Sequence, residues 1–273
     1  MQDLPLGKAT EYVSVYTPSL LCPIARSVGR EALGVVETAL PFKGLDIWNA
    51  YELSWLSLKG KPVVAMAEIQ VPADSPYMVE SKSLKLYLNS FSQTTFHDRV
   101  DVMRTIESDL AVLVRAPVFV RIIFPNELNH LQNRAGLPGI CLDTLDVDIE
   151  KYEVDAQLLA LEGRHRRVTE TVYSHLLRSN CPVTQQPDWG TVVIEYSGDK
   201  IDHAALLKYI VSYRHHNGFH EQCVEQIFMD IKQRCSPEQL TVFARYTRRG
   251  GIDINPYRSS HQIQPVNLFT FRQ

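Results

Sequence analysis

A cysteine and an aspartate in one short polar stretch could together perform nucleophilic chemistry. The stretch contains Cys181, followed by proline, and then Asp188 within the run Pro-Asp-Trp-Gly of residues 187–190. Proline disfavours helical geometry in the residue before it, so Cys181 is expected in a loop or an extended segment. The run at 187–190 has the composition of a turn. Such a loop can bring a thiol close to a carboxyl group, which suits attack by a thiolate beside an acid that handles the proton.

The same residues are compatible with two further roles. Cysteine is among the most frequently buried residues, so Cys181 could be a packed loop residue without chemistry. Cys181 could also be the nucleophile of a cysteine hydrolase, with a histidine such as His175 or His220 as the base and Asp188 as the third member. The choice depends on the elements that carry the stretch.

The composition is typical of a globular protein in a reducing compartment. The chain has 273 residues, 45% hydrophobic and 22% charged, with a net charge of −3, so neither nucleic acid nor an anionic membrane is expected as a partner. The uncharged residues 12–25 are too few and too interrupted by proline to span a bilayer, which predicts a soluble cytoplasmic protein. The five cysteines include no Cys-x-x-Cys pair, so we expect neither disulfide bonds nor a metal site.

The elements around Cys181 form the second copy of an internal repeat. Asp202–Tyr213 aligns without a gap on Glu80–Phe91, which places Tyr209 on Tyr87. Apolar alternation and helical spacing predict the elements of both copies. The first copy has strands 45–58 and 61–71, helices 80–91 and 96–110, and a strand at 116–124; the second has strands 168–177 and 191–196, helices 202–213 and 223–235, and strands 240–246 and 252–254.

This order predicts an α+β fold made of two tandem modules. Each module is strand–strand–helix–helix–strand–strand, with antiparallel sheets and helices on one face. The first module is assigned to residues 1–127 with an irregular N-terminal arm, the connector to 128–167, and the second module to 168–273, which contain Cys181. The copies carry different polar groups, as expected if one composite site lies where two modules meet. Divergence on solvated faces would also produce the difference.

Several polar residues could bind a planar ring and a phosphorylated cofactor. Glu80 and Glu221 stand at helix starts, where the helix dipole favours acids whatever their function. If both face one pocket they suit a guanine-like ring, because a carboxylate accepts two hydrogen bonds at once. His220 belongs either to such a pocket or simply to the start of its helix. Lys82 and the turn Arg-Arg-Gly-Gly at 248–251 could hold phosphates, and no Gly-x-Gly-x-x-Gly or P-loop is present.

Four motifs taken together resemble one family, the NADPH-dependent 7-cyano-7-deazaguanine reductases in their long two-module form. They are Glu-Ser-Lys-Ser-Leu-Lys-Leu-Tyr at 80–87, the loop from Cys181 to Asp188, Phe-His-Glu at 219–221 and Arg-Arg-Gly-Gly at 248–251. They stand in the family's order over nearly the whole chain, and the first is the most specific. The resemblance implies the tunnelling fold, in which pairs of such modules assemble and bind purine- or pterin-like rings at module junctions.

The resemblance also implies a role for each matching residue. Cys181 would add to the substrate nitrile to give a covalent thioimide, and Asp188 would donate the proton to nitrogen. Two hydride transfers would then give 7-aminomethyl-7-deazaguanine, a precursor of the queuosine base of tRNA, in a protein expected to be a homodimer. The implied substrate-binding residues are Val79, Glu80, Ser81, His220 and Glu221, and the implied NADPH-binding residues are Ser81, Lys82, Arg249 and Gly250.

Two alternatives remain open beside this function. One is a non-catalytic scaffold that binds a purine or pterin in the same fold, against which the presence of both Cys181 and Asp188 counts. The other is a zinc-dependent cyclohydrolase of the same superfamily, against which the poor set of metal ligands counts.

Overall fold

The computed structural model describes residues 12–130, 136–163, 166–261 and 265–273. Residues 1–11 of the predicted N-terminal arm and residues 131–135 and 164–165 of the predicted connector lie outside this range. Among the helices so described, none has the length and apolar character needed to cross a membrane. The secondary structure is α+β with mostly antiparallel strand pairs, which confirms the predicted class.

The chain divides into two compact units. Of the residues described, the first unit holds 12–39, 45–130 and 248–254, and the second holds 40–44, 136–163, 166–247, 255–261 and 265–273. Two strands, Lys43–Leu56 and Ile252–Ser259, each contribute residues to both units.

The first unit is built from a three-stranded antiparallel sheet, a two-stranded ribbon and three helices. In the sheet β3 lies between β2 and β5, and in the ribbon β1 pairs with β4. The elements are β1 (Pro23–Ala25), α1 (Ser27–Ala32), β2 (Lys43–Leu56), β3 (Pro62–Pro72), β4 (Tyr77–Val79), α2 (Ser81–Asn89), α3 (Arg99–Val114) and β5 (Phe119–Ile123).

The helices of this unit bury apolar residues at the predicted helical spacing, although Val100 in the first turn of α3 is 37% exposed. Leu84 and Leu88 of α2 join Ile106 and Leu110 of α3 in one hydrophobic cluster with Trp48 of β2. Fully burying an aliphatic side chain of this size contributes about 1.5–3 kcal/mol. One prediction for this unit is wrong. A pair of strands was predicted after the two helices, but a single strand, β5, follows them among the described residues of the unit.

The second unit holds the remaining strands and two helices. Strand β10 lies between β11 and β9, β9 pairs on its other side with β7 and β8, and β6 runs parallel to β7. The elements are β6 (Ile140–Cys141), β7 (Arg167–Ser174), β8 (Arg178–Asn180), β9 (Pro187–Asp199), α4 (His203–Ser212), α5 (His220–Cys235), β10 (Gln239–Tyr246) and β11 (Ile252–Ser259).

The structure corrects the prediction of a turn at residues 187–190. These residues are the first four of β9, because β8 provides them with an antiparallel partner in which Arg178 faces Trp189. Turn-forming composition is overridden here by cross-strand pairing. The predicted strand 168–177 is also too long, since β7 ends at Ser174 and β8 begins at Arg178.

Candidate active site

Cys181 lies just beyond the last pair of the hairpin formed by β8 and β9. That pair is Asn180 with Pro187. The backbone N–H of Cys181 donates to the carbonyl oxygen of Gln186 at 2.9 Å, and the N–H of Gln185 donates to the carbonyl of Cys181 at 2.9 Å. Gln185 closes the loop in the left-handed region, with φ of 58°. The predicted loop position of Cys181 is confirmed, and two backbone hydrogen bonds fix it.

The hairpin places the predicted nucleophile and the predicted acid on one side. Ser179 and Asp188 are directly opposite each other, so their side chains project to the same face. Cys181 is two residues beyond Ser179, and alternate residues of an extended segment also share a face. Cys181 is 3% exposed and Asp188 is 8% exposed. Strand pairing, rather than a folded-back turn, therefore brings the thiol and the carboxyl to one side.

The start of α5 brings His220 to Asp188. The Nε2 atom of His220 lies 3.4 Å from the Oδ2 atom of Asp188, and both side chains are largely buried. His220 is the first residue of α5, and the loop before it is tied to β8 because the N–H of Gly218 donates to the carbonyl of Asn180 at 3.1 Å. Of the two histidines considered from the sequence, His220 is thus the one in contact with the acid.

One face of the His220 ring lies against the ring of Tyr246, the last residue of β10. The two ring centroids are 3.8 Å apart and the ring planes differ by 2°, which is a stacked arrangement. The Nδ1 atom of His220 is buried and has no hydrogen-bond partner among the described residues. Buried polar atoms normally have partners, so an unpaired ring nitrogen in this position is suited to a ligand.

A second cysteine, Cys223, lies near Asp188 and Glu221. Burial raises the pKa of Cys223 to about 12, and the nearby carboxylates of Asp188 and Glu221 act in the same direction. The hydroxyls of Ser179 and Tyr246 face the Cys223 sulfur, and neither has a hydrogen bond of ordinary length among the residues described. Cys223 is therefore a neutral thiol at physiological pH, as predicted for a buried, inert cysteine.

Both predicted ring-binding carboxylates are buried at helix starts. Glu221 is 3% exposed in the first turn of α5. Glu80 is fully buried and caps α2, where its Oε1 accepts from the N–H of Lys82 at 2.9 Å and its Oε2 from the N–H of Ser83 at 2.7 Å. A carboxylate offers about four lone-pair sites, so capping leaves about half of them for another donor.

The backbone around Glu80 is held by the ribbon of the first unit. Val79 is the last residue of β4 and pairs with Pro23. The N–H of Glu80 then donates to the carbonyl of Cys22 at 2.9 Å, and Ser81 begins α2 at once. Extended backbone therefore passes directly into a helix N-terminus, where Glu80 accepts the N–H groups of Lys82 and Ser83 and Ser81 is the first helical residue.

The basic turn before β11 has the backbone geometry that its glycines predict. Gly250 and Gly251 adopt φ of 60° and 76°. A Cβ atom on Gly251 would lie 2.4 Å from the carboxyl group of Glu52, and one on Gly250 would lie 3.2 Å from the Nζ atom of Lys85. Only glycine allows this approach without displacement of a neighbour. The turn therefore brings the backbone of Gly250 close to Lys85 of α2.

The predicted site residues fall into two sets. The second unit holds the predicted catalytic pair with His220 and Glu221, and the first unit holds Val79, Glu80 and the residues predicted to contact the cofactor. Sequence reasoning missed Tyr246, because a tyrosine at a strand end is also an ordinary core residue. Only its place directly before the basic turn could have drawn attention to it.

Comparisons with known proteins agree on one family. Residues 12–122 match the family described as nitrile reductase, 7-cyano-7-deazaguanine-reductase N-term, and residues 187–265 match the family described as QueF-like protein. A crystal structure of the archaeosine synthase QueF-Like in the apo form aligns with 38% of this chain and 100% of its own, at 19% identity and a TM-score of 0.31. The NADPH-dependent 7-cyano-7-deazaguanine reductases of Burkholderia vietnamiensis and Burkholderia multivorans are each 55% identical to this chain over 271 residues. Each alignment covers 98% of this chain and 98% of the relative. The chain belongs to the family of NADPH-dependent 7-cyano-7-deazaguanine reductases.

Proposed function

We propose that this protein reduces the nitrile of 7-cyano-7-deazaguanine to the primary amine with NADPH, toward the queuosine base of tRNA. Membership in the family supports the activity. The observation that carries it is the burial of Cys181 and Asp188 at one hairpin, with Asp188 paired to Ser179 and Cys181 just beyond the last strand pair. A nitrile needs a nucleophile at carbon and an acid at nitrogen, and these two residues supply both.

Cys181 converts a poor hydride acceptor into a better one. Its thiolate forms a bond to the nitrile carbon, and the electron pair displaced from the triple bond takes a proton from Asp188, so that a thioimide results. Sulfur loses one proton and nitrogen gains one, so the addition changes the total number of protons by zero. After the first reduction the carbon–sulfur bond breaks, and Cys181 leaves as the thiolate.

His220 positions the acid and faces the substrate ring. Its Nε2 atom, 3.4 Å from the Asp188 carboxylate, restricts the orientation of that carboxylate and offers a route for its reprotonation. Its Nδ1 atom has no partner among the described residues and is available to the ring. Stacking on Tyr246 holds the imidazole in this orientation.

The carboxylates Glu80 and Glu221 are proposed to hold the deazaguanine ring. The ring presents adjacent N–H donors, which carboxylate oxygens accept in pairs. Burial strengthens such bonds because water does not compete for the same donors. The backbone of Val79 and the backbone and hydroxyl of Ser81 would complete the recognition.

The residues proposed for the cofactor fit a phosphorylated ligand. Lys82 and Arg249 supply cationic donors, and the positive-φ glycines of the basic turn let the Lys85 ammonium approach its backbone. Ser81, the first residue of α2, adds a hydroxyl donor. Bound NADPH would supply two hydrides, so one nitrile, two NADPH and two protons give one amine and two NADP⁺.

The finer organisation is part of the same proposal. We assign the tunnelling fold to two tandem modules, residues 1–127 and 168–273, joined by residues 128–167. We further propose a cytoplasmic homodimer without nucleic acid or membrane partners. Chain mass in solution, from light scattering, tests the dimer directly.

Nitrile-dependent oxidation of NADPH tests the activity. The wild-type protein should oxidise two NADPH per nitrile consumed, Cys181→Ala should oxidise none, and Cys22→Ser should match the wild type. Ring binding without any oxidation by the wild type would favour the scaffold. Hydrolysis of a purine ring that is abolished by a chelator would favour the cyclohydrolase.

A further inference from the structure

A cysteine, an aspartate and a histidine converge in the second unit away from the residues assigned to reduction. Cys141, Asp143 and His175 each offer one ligand atom, and these atoms all lie within 4.8 Å of one another. All three residues are partly exposed. His175 is 32 residues from Asp143 in sequence and the three residues include no Cys-x-x-Cys pair, so the sequence analysis expected no metal site.

Strand pairing places Cys141 and Asp143. Cys141 is the last residue of β6, which runs parallel to β7 with Cys141 opposite Tyr173. Gly139 allows this approach, because a Cβ atom there would lie 2.2 Å from the carbonyl oxygen of Thr171. The N–H of Leu142 then donates to the Tyr173 carbonyl at 2.9 Å, and the chain continues to Asp143.

The carboxylate is oriented by the end of β7. The hydroxyl of Ser174 donates to Oδ1 of Asp143 at 2.6 Å, and the N–H of His175 donates to Oδ2 at 3.0 Å. These bonds fix the side chain and leave lone pairs free, since each carboxylate oxygen has two. Ligating carboxylates in metal sites are commonly held by such hydrogen bonds.

The imidazole is fixed by a hydroxyl on the neighbouring strand. The Nδ1 atom of His175 lies 2.9 Å from Oγ1 of Thr191 in β9. The ring also packs edge-to-face on Phe271, with centroids 5.0 Å apart. A hydrogen bond to one ring nitrogen sets the tautomer and leaves the other nitrogen for a metal, which is the usual arrangement of a ligating histidine.

We propose that Cys141, Asp143 and His175 bind one divalent transition-metal ion, most favourably Zn²⁺. Thiolate, imidazole and carboxylate are the three ligand types that proteins use for zinc, and a fourth position would be taken by water. Ligand atoms around tetrahedral zinc stand about 3.5 Å apart, so only small side-chain adjustments are needed. The ion would hold β6 to the ends of β7 and β9 and takes no part in the hydride chemistry.

One nearby charge opposes a cation. The guanidinium of Arg272 donates to the carbonyl of His175 at 2.6 Å and interacts electrostatically with Asp143. Its positive charge weakens binding of a divalent ion. The proposed site should therefore bind zinc less tightly than a site made only of thiolates.

Cobalt titration of chelator-treated protein tests the site without reference to activity, because thiolate-to-cobalt charge transfer reports a cysteine ligand. The wild-type protein should bind one Co²⁺ per chain with a charge-transfer band that Zn²⁺ abolishes. Cys141→Ser should lose the band, and His175→Gln should weaken binding at least tenfold. Cys22→Ser and Cys181→Ala should keep the band, because neither thiol belongs to the cluster.

Thermal melting supplies a second readout for variants that bind no cobalt. Zn²⁺ should raise the Tm of the wild type and of Cys22→Ser, and should leave the Tm of a folded Cys141→Ser unchanged. No cobalt band in the wild type, or a band that persists in Cys141→Ser, would overturn the proposal. A band lost in Cys181→Ala instead would assign the metal to the reductase cysteine and equally overturn it.

Discussion

The two halves of the chain keep the same interior hydrogen bond and differ at the hairpin. Tyr87 of α2 donates to Asp109 of α3 at 2.6 Å, and Tyr209 of α4 donates to Asp230 of α5 at 2.6 Å. In each half the tyrosine of one helix thus binds a carboxylate of the next. Only the second half adds β8 and the loop with Cys181. The shared bond holds a helix pair together, and the added hairpin carries the two residues proposed to perform the chemistry.

Among variants that keep Cys181, the largest effect is expected from Asp188→Asn, because Asp188 lies in the hairpin of β8 and β9. An amide cannot donate a proton as an acid does, and loss of general acid catalysis lowers kcat by about 10²–10⁴-fold. Dissociation constants for the nitrile should change little, because the ring is held by other residues. A steady-state kcat within threefold of the wild type would remove Asp188 from the proton-donor role.

A smaller effect is expected at the basic turn of the first unit. Arg249→Ala should raise the KM for NADPH about 10–100-fold, since a hydrogen bond to a charged group contributes about 1.5–3 kcal/mol. Arg248→Ala is the matched control, because that guanidinium lies over the ring of Tyr51 at 4.9 Å. Equal effects of the two substitutions, or equal kcat/KM for NADPH and NADH in the wild type, would contradict the assignment.

Substitution of the carboxylates at helix starts distinguishes helix capping from recognition of the ring. Glu80→Gln and Glu221→Gln should each weaken nitrile binding by about 1–3 kcal/mol, because an amide replaces one acceptor by a donor. Asp202 caps α4 at the position equivalent to Glu80, and its carboxylate accepts from the N–H of Ala205 at 2.8 Å. Asp202→Asn should therefore leave ring affinity unchanged in titration calorimetry. Unchanged affinity in both glutamine variants would restrict these glutamates to structural roles.

The smallest effect concerns the shared tyrosine–aspartate bond. Asp109 also accepts from the hydroxyl of Tyr16 at 2.7 Å, whereas Tyr209 is the hydroxyl donor to Asp230. Tyr209→Phe should therefore lower the free energy of unfolding by about 1–3 kcal/mol, and Tyr87→Phe by less, because Asp109 keeps the hydroxyl of Tyr16 whereas Asp230 keeps no hydroxyl donor among the described residues. Urea unfolding of both variants measures the difference, and a larger loss for Tyr87→Phe would contradict it.

Periodicity was sufficient to predict the elements that bury a face. The ungapped match set Tyr209 on Tyr87, and each tyrosine donates a hydrogen bond to an aspartate of the next helix. The apolar spacing predicted α2 and α3, and Leu84 of α2 and Ile106 of α3 share one buried cluster. The turn predicted at residues 187–190 was wrong because its composition does not reveal that β8, which lies just before it in the chain, pairs with these residues.

The site was only partly predictable for the same reason. The loop position of Cys181 followed from the proline after it, but the approach of Glu52 and Lys85 to the basic turn is visible only in the structure. Contacts formed by tertiary pairing left no local signal. Neither the stacking of Tyr246 on His220 nor the convergence of ligands at residues 141, 143 and 175 could be read from spacing.

Intact mass after incubation with 7-cyano-7-deazaguanine alone tests the central claim most directly. The wild type should gain the mass of one substrate per chain, and added NADPH should remove it. Burial raises the pKa of Cys223 to about 12 and that of Cys235 to about 11, so these thiols should stay unmodified. Digestion should map the adduct to Cys181, and Cys181→Ala should gain no mass while still binding the ring. An adduct on another cysteine, or binding by the wild type without any gain in mass, would contradict the account.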